Sequence, residues 1–182
     1  MLYQMLSLVL DVIASLVGGT CLLRMAMQAL RMPFQQPLGR FVLAMTDWIV
    51  LPLRRVVPAW RQWDLSSLVA AWLLKALQFL LLWWLAGAHG QLGLLPLVSL
   101  VGVLQLLVSA LSALVLVYAL MSWVQPGSYF LHMAERLVQP LLAPVRRRLP
   151  LVGGVDLSPL VLLVALQLLG IVLAGLQASW MY

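Results

Sequence analysis

Pro144-Val145-Arg146-Arg147-Arg148-Leu149-Pro150-Leu151-Val152-Gly153-Gly154-Val155-Asp156-Leu157-Ser158-Pro159 has a counterpart ninety-two residues earlier, Pro52-Leu53-Arg54-Arg55-Val56-Val57-Pro58-Ala59-Trp60-Arg61-Gln62-Trp63-Asp64-Leu65-Ser66-Ser67. The shared frame is Pro-x-Arg-Arg-x-x-Pro, five residues, then Asp-Leu-Ser, and it superimposes without a gap. Leu68 and Val69 also fall on Leu160 and Val161. Charged and proline positions match in register, so the chain is a duplication rather than two apolar runs that look alike.

An apolar stretch precedes and follows each copy of this frame. Four such stretches reach the roughly 20 residues that cross a bilayer, at about 2–30, 65–86, 94–123 and 157–177. Composition agrees. Of 182 residues, 64% are hydrophobic and 9% charged, with mean hydropathy +1.06. A soluble domain averages about 45–50% apolar and about 25% charged. This chain lacks the polar residues to coat a water-soluble surface, which excludes a soluble enzyme, a disordered chain and a secreted disulfide scaffold. Only helices suit the spans, because a four-strand barrel is not viable. The expected fold is an all-α membrane protein with four transmembrane helices in two parallel two-helix repeats. The units are 1–92 and 93–182, each with a cytoplasmic interfacial amphipathic segment. Both units contain an even number of spans, so they keep one orientation and are related by an axis along the membrane normal.

Every loop Lys or Arg lies in the two long connections: Arg31, Arg40, Arg54, Arg55 and Arg61 in the first, Arg136, Arg146, Arg147 and Arg148 in the second. The short connection between the second and third spans carries none. By the positive-inside rule the long connections face the cytoplasm and both termini face the periplasm. Aromatic residues fit this frame: Trp60, Trp63 and Trp123 at the inner interface, and Trp83, Trp84 and Trp180 with Tyr3 and Tyr182 at the outer one. The net charge of +6 is then explained by topology and anionic headgroups rather than by nucleic acid. The N-terminus has no basic n-region and Asp11 interrupts the apolar run, so it reads as a transmembrane helix and not as a signal peptide. Cys21 stands alone and forms no internal disulfide.

Within the long connections, Leu38–Leu51 and Tyr129–Leu142 have helical periodicity. Phe41, Val42, Met45 and Ile49 share one face of the first, with Arg40 and Asp47 elsewhere. Phe130, Met133, Leu137, Val138 and Leu141 share a face of the second, opposite His132, Glu135, Arg136 and Gln139. Both fit short helices lying in the interface or tucked against the bundle. Pro52 and Pro144 are expected to stop these helices, and Pro58 and Pro150 to stiffen the return. The Arg pairs are expected at phosphate depth, and Asp64 and Asp156 to cap the helix that follows. Ser158-Pro159 reads alternatively as cap plus N1 proline. The motif is thus either a membrane re-entry turn with lipid anchors, or a docking site for an acidic partner or headgroup built from Pro52, Arg54, Arg55, Pro58, Asp64, Pro144, Arg146, Arg147, Arg148, Pro150 and Asp156.

On these residues the chain resembles the YggT family, also called YlmG, with two tandem units covering nearly its whole length. The first unit departs from the pattern where Arg61-Gln62 replaces Gly153-Gly154 and Ser67 replaces Pro159. The resemblance implies a small integral protein of the bacterial plasma membrane, with plastid relatives. Family roles include cofactor assembly of a plastid cytochrome complex, effects on division or nucleoid distribution, and osmotic tolerance. They imply an assembly or scaffold factor rather than an enzyme, with a membrane-protein partner and no cofactor or catalytic residues to carry over.

Ionisable groups inside a span are costly and mark function. Asp11 and Lys75 stand in the first and second spans, with Gln78 one turn from Lys75. Either Asp11 and Lys75 pair, or each reaches its own interface. The second unit has Val103 and Gln167 at the equivalent positions. Arg24 is expected to extend to the inner interface, and Gln105 and Gln167 to hydrogen-bond across helices. Ala14, Ser15, Gly18 and Gly19 mark a face of the first helix that permits close approach. The cluster Asp11, Lys75 and Gln78 supports a second class of function, a small transporter or channel component affecting ion or osmotic balance. His89 and His132 lie on opposite sides of the membrane and cannot share a metal.

Overall fold

The computed structural model describes residues 1–57, 64–85, 87, 92–125, 127–148 and 156–181, with the side chains of Leu2, Trp180 and Met181 left aside. Among the described residues all regular structure is helical, in the order α1 (Leu2–Ala29), α2 (Pro37–Arg54), α3 (Leu65–Leu85), a 3-10 turn at Leu92–Leu94, α4 (Leu95–Val124), α5 (Tyr129–Arg146) and α6 (Ser158–Met181). Four of these helices, α1, α3, α4 and α6, are long and apolar enough to cross a membrane. Each of the four expected spans is one of them. The two intervening helices, α2 and α5, begin and end at the ninety-two-residue offset of the sequence duplication. Pro58, Trp60, Trp63, His89, Pro150, Gly153, Gly154 and Tyr182 lie outside the described residues.

Local chemistry sets the helix limits. α1 ends in a Schellman turn: Arg31 N–H donates to the Gln28 carbonyl at 3.0 Å and Met32 N–H to the Met27 carbonyl at 2.8 Å. Met32 and Met27 are both buried there. Arg31 occupies the left-handed position, with φ 51°, that usually falls to glycine. α2 opens on extended Gln36 with Pro37 in the first turn, where a missing N–H costs nothing. α5 opens on Ser128, whose Oγ accepts from Leu131 N–H at 3.2 Å.

Pro52 and Pro144 do not stop their helices. Both sit inside them, in the final turn. A proline removes its own N–H and crowds the turn before it, while the residues after it keep helical φ. The backbone therefore continues and closes in tight turns, with Val57 N–H donating to the Leu53 carbonyl at 2.8 Å and Arg148 N–H to the Val145 carbonyl at 3.0 Å.

The described chain forms two compact units, Met1–Leu107 with Leu173–Tyr182, and Val108–Val172. The first is organised by α1 and α3, with α2 packed on both. Cys21, Leu22, Val50, Ala70, Ala71 and Leu106 form its core. Gly18 admits Leu106, whose Cδ2 lies 2.7 Å from where a Cβ would stand. α2 buries Gly39, Val42, Thr46 and Val50. This differs from the expected face, since Phe41 is exposed and the buried stripe includes a polar threonine. In the second unit α5 buries Met133, Ala134, Leu137, Val138 and Leu142, close to expectation, although Phe130 is exposed.

Candidate functional site: two Arg–Asp clamps and an intramembrane polar cluster

In the first unit the chain returns from α2 to α3 through Asp64, whose backbone carbonyl accepts from Ser67 N–H at 3.0 Å and opens α3. Its carboxylate is fully buried. Arg54 donates to it at 2.5 Å, Ser67 Oγ at 2.9 Å, and Ser66 Oγ also donates. Burial pushes the Asp64 carboxyl up, but the hydrogen bonds from Arg54, Ser66 and Ser67 outweigh it and hold the group below the usual carboxylate range. Arg54 also donates to Gln28 Oε1 at 3.1 Å, which ties the end of α2 to α1.

Arg24 completes this network. It is buried within the unit, 2% exposed, rather than open to solvent. Its Nη1 donates to Thr46 Oγ1 and to Asp47 Oδ1, each at 2.7 Å, and its Nε lies 3.6 Å from Asp64 Oδ2. The reason is tertiary. α2 folds back over the end of α1 and brings Thr46 and Asp47 to a guanidinium that would otherwise seek water. Thr46 stays satisfied by donating to the Val42 carbonyl at 2.7 Å. Two cations and two carboxylates balance, a requirement for burying charge. The Nε groups of Arg24 and Arg54 are buried without a hydrogen-bond acceptor among the described residues.

The second unit repeats the clamp in reduced form. Arg146 Nε donates to Asp156 Oδ2 at 2.7 Å, and Arg146 Nη2 donates to Tyr118 Oη at 2.7 Å. Asp156 Oδ1 accepts from Ser158 N–H at 2.9 Å, so the aspartate serves the start of α6 as a cap does. Burial raises the Asp156 carboxyl, and the bonds from Ser158 and Arg146 more than reverse that. Burial lowers Arg146, and the contacts with Tyr118 and Asp156 leave it raised. Leu116, Val138 and Gln139 stand where the first unit has Arg24, Thr46 and Asp47, so the larger network belongs to the first unit.

The duplicated arginines therefore divide. Arg54 and Arg146 are committed to Asp64 and Asp156. Arg55, Arg147 and Arg148 are exposed, as are Arg40 and Arg136. The exposed sides of the two short helices also differ. That of α2 is apolar, with Phe41, Ala44, Trp48 and Leu51, whereas that of α5 carries His132, Arg136, Gln139 and Arg147. Pro52 and Pro144 are exposed on these sides.

The structure brings Asp11, Lys75 and Gln78 together. Lys75 Nζ donates to Asp11 Oδ1 at 3.1 Å and to Gln78 Oε1 at 2.9 Å, and Gln78 Nε2 donates to Asp11 Oδ1 at 3.0 Å. Lys75 Nζ also lies 3.4 Å from Ser15 Oγ. Lys75 is midway along α3, and its side chain is 7% exposed against 61% for Asp11. Gly102 of α4 admits the Phe79 ring beside this cluster, with Lys75 Cδ 3.7 Å from where its Cβ would stand. Gln167 is exposed, and its side chain makes no hydrogen bond among the described residues. Among the described residues no group of three or more His, Cys, Asp or Glu side chains is spaced for a metal ion.

Thr46, Asp47, Gln28 and Tyr118 enter the clamps although the sequence did not single them out as site residues. One signal was available. The chain has five acidic residues, and each of its four aspartates is paired with Arg or Lys. In so apolar a chain a lone acid implies a nearby cation.

Comparison with known proteins matches the chain in two successive segments. The CCB3/YggT family model matches residues 3–85 and again 97–177. The YggT protein of Escherichia coli K12 is 36% identical over 185 aligned residues, covering 96% of this chain and 92% of that protein. A Pseudomonas aeruginosa protein is 33% identical over 165 residues, covering 88% of this chain and 84% of its own length. A Haemophilus influenzae protein is 29% identical over 149 residues, covering 81% and 80%. No solved structure matches the chain.

Proposed function

This chain belongs to the CCB3/YggT family as two tandem units, and from that premise we propose that it is a non-enzymatic assembly or scaffold factor for membrane complexes. Its place is a bacterial inner membrane, with both termini periplasmic and α2 and α5 on the cytoplasmic side. The Lys/Arg distribution supports that orientation. One observation carries the functional reading: the division of labour within the duplicated arginines. Arg54 and Arg146 tie the ends of α2 and α5 to Asp64 and Asp156 at the starts of α3 and α6. Arg55, beside Arg54, and Arg147 and Arg148, beside Arg146, remain exposed. Planar guanidinium groups held this way suit carboxylates and phosphates.

The outer faces of the short helices support two destinations. The apolar side of α2, flanked by Arg40 and Arg55, fits a bilayer with anionic headgroups. The polar side of α5, with Arg136 and Arg147, fits an acidic segment of a membrane-protein partner. Nucleic acid is not required by either surface. The experiment is affinity purification in mild detergent with identification of bound proteins. An Arg55→Gln, Arg147→Gln, Arg148→Gln chain should reach normal membrane abundance and lose its partner. Unchanged co-purification would contradict the reading.

A second reading, a small transporter or channel component affecting ion or osmotic balance, is supported by the Asp11–Lys75–Gln78 cluster midway along α3. Purified protein in liposomes should then conduct ions, and Lys75→Met should abolish the flux. Silent liposomes would sink it.

A further inference from the structure

The ammonium of Lys75 sits in a set of converging oxygens. Nζ donates to Gln78 Oε1 at 2.9 Å, to Asp11 Oδ1 at 3.1 Å and to Ser15 Oγ at 3.4 Å. An ammonium has three N–H donors, so these three acceptors satisfy it. The carboxylate aims the two neutral ligands. Gln78 uses Nε2 on Asp11 Oδ1 at 3.0 Å, which turns its Oε1 to Nζ. Ser15 also hydrogen-bonds Asp11, which leaves its oxygen lone pairs to the ammonium. The Lys75 side chain is 7% exposed, and its Cδ lies 3.7 Å from where a Cβ of Gly102 on α4 would stand.

An ion site is built in this way. One carboxylate and two neutral oxygens, fixed by their own hydrogen bonds, converge on one point about 15 Å into α3 at about 1.5 Å per residue. Hard cations take such oxygen ligands, and a single carboxylate balances a single charge. That favours a monovalent cation over a divalent one. The duplication isolates the set. Ninety-two residues on, Val103, Leu107 and Gly170 stand at the places of Asp11, Ser15 and Gln78, and Gln167 at that of Lys75. Where the ammonium is missing, all three oxygen-bearing side chains are missing too.

We infer that Asp11, Ser15 and Gln78 form a binding site for a monovalent cation, with Lys75 as its built-in occupant, and that a free cation such as K+ fills it when the ammonium is removed. In the native chain the tether keeps the site filled at every ionic composition, so this contact of α1 with α3 does not depend on the salt present. The inference stands apart from both functional readings. It uses none of the cytoplasmic arginines, and cation binding is measured without flux.

The test is thermal unfolding of the purified full-length chain in detergent, with choline chloride replaced stepwise by KCl at constant ionic strength. Lys75→Met keeps most of the stem and vacates the Nζ position. It should melt lower than the wild type in choline, and gain roughly 5–10 °C as K+ reaches a hundredfold excess over its Kd. The wild type should not respond to the exchange. Lys75→Ala removes the last three carbons and the nitrogen, and n-propylammonium should restore it in the same way. Where either chain fails to fold, Lys75→Gln keeps a hydrogen-bonding amide, as the second unit does at Gln167, and should show the same K+ response. Adding Asp11→Asn should abolish the response in each case. No response to K+ or propylammonium, a response that survives Asp11→Asn, an equal one in the wild type, or a stronger one to Mg2+ would each overturn the inference.

Discussion

Arg54 lies 2.5 Å from the carboxylate of Asp64, ten residues farther along the chain, and Arg146 stands in the same relation to Asp156 at 2.7 Å. A pairing that twice ties the end of a short helix to the start of the next long one is the main physical content of the duplicated motif. Its two occurrences differ in burial, and that difference ranks their importance. The two arginines are equally exposed, 36% at Arg54 and 35% at Arg146, but the Asp64 side chain is 0% exposed against 31% for Asp156.

Removing one partner of the buried clamp strands a charge. Arg54→Gln or Asp64→Asn should destabilise the chain by about 3–5 kcal/mol. Arg146→Gln should cost nearer about 1 kcal/mol, as a partly exposed pair does. Thermal unfolding in detergent, followed by circular dichroism, gives the order. Equal losses at the two clamps would contradict it.

Acid should act through the same groups. The folded-state values of Asp64 and Asp156 lie below the ordinary carboxylate range. Their stabilisation is therefore present above the ordinary value and is lost as pH falls through the lower folded value. Melting temperature should be flat from about pH 7 to about pH 5 and fall below about pH 4. An Asp64→Asn chain should start lower and show a shallower acid decline. A decline of wild-type steepness in that chain would assign acid sensitivity elsewhere.

Asp11 and Lys75 should behave as a coupled pair. Lys75→Met leaves a carboxylate in the span without its cation, and Asp11→Leu leaves a buried ammonium. Combining them removes both. The double variant should be more abundant in membranes than additivity predicts, with a coupling on the order of 1–2 kcal/mol. Quantitative blotting of the four chains is sufficient, and additive losses would mean that the 3.1 Å contact carries no weight.

Arg31 offers a stabilising change. Its φ of 51° is costly for a residue with a Cβ. Arg31→Gly should raise stability by about 0.5–1 kcal/mol, provided the Schellman turn persists. A lower melting temperature would show that the Arg31 side chain contributes more than its backbone strain costs.

The helices and most of their limits, the ends of α2 and α5 excepted, were legible because each rests on short-range rules. Hydropathy located the spans, and the Pro/Arg/Asp frame located the turns. The ninety-two-residue offset that aligned Arg54 with Arg146 also separates the ends of α2 from those of α5. Arg24 was not legible. Its distance from the helix end pointed to water, and only the fold-back of α2 supplies Thr46 and Asp47. The same fold-back decides that Val42, Thr46 and Val50 are buried while Phe41 is not. Periodicity defines the faces of a helix but not which one meets a neighbour. Pro52 and Pro144 were misread for a local reason, since a late proline distorts the turn behind it and leaves the next residues helical.

The proposed function assigns the first arginine of each duplicated pair to the fold and the exposed ones beside it to a partner. Its most direct measurement compares two variants side by side, for membrane abundance and for partner recovery per molecule of protein. Arg54→Gln with Arg146→Gln should lower abundance. Arg55→Gln with Arg147→Gln and Arg148→Gln should leave abundance unchanged and lower recovery at least about tenfold, the equivalent of about 1.4 kcal/mol. The reverse pattern, or partner recovery indifferent to the exposed arginines, would contradict the account.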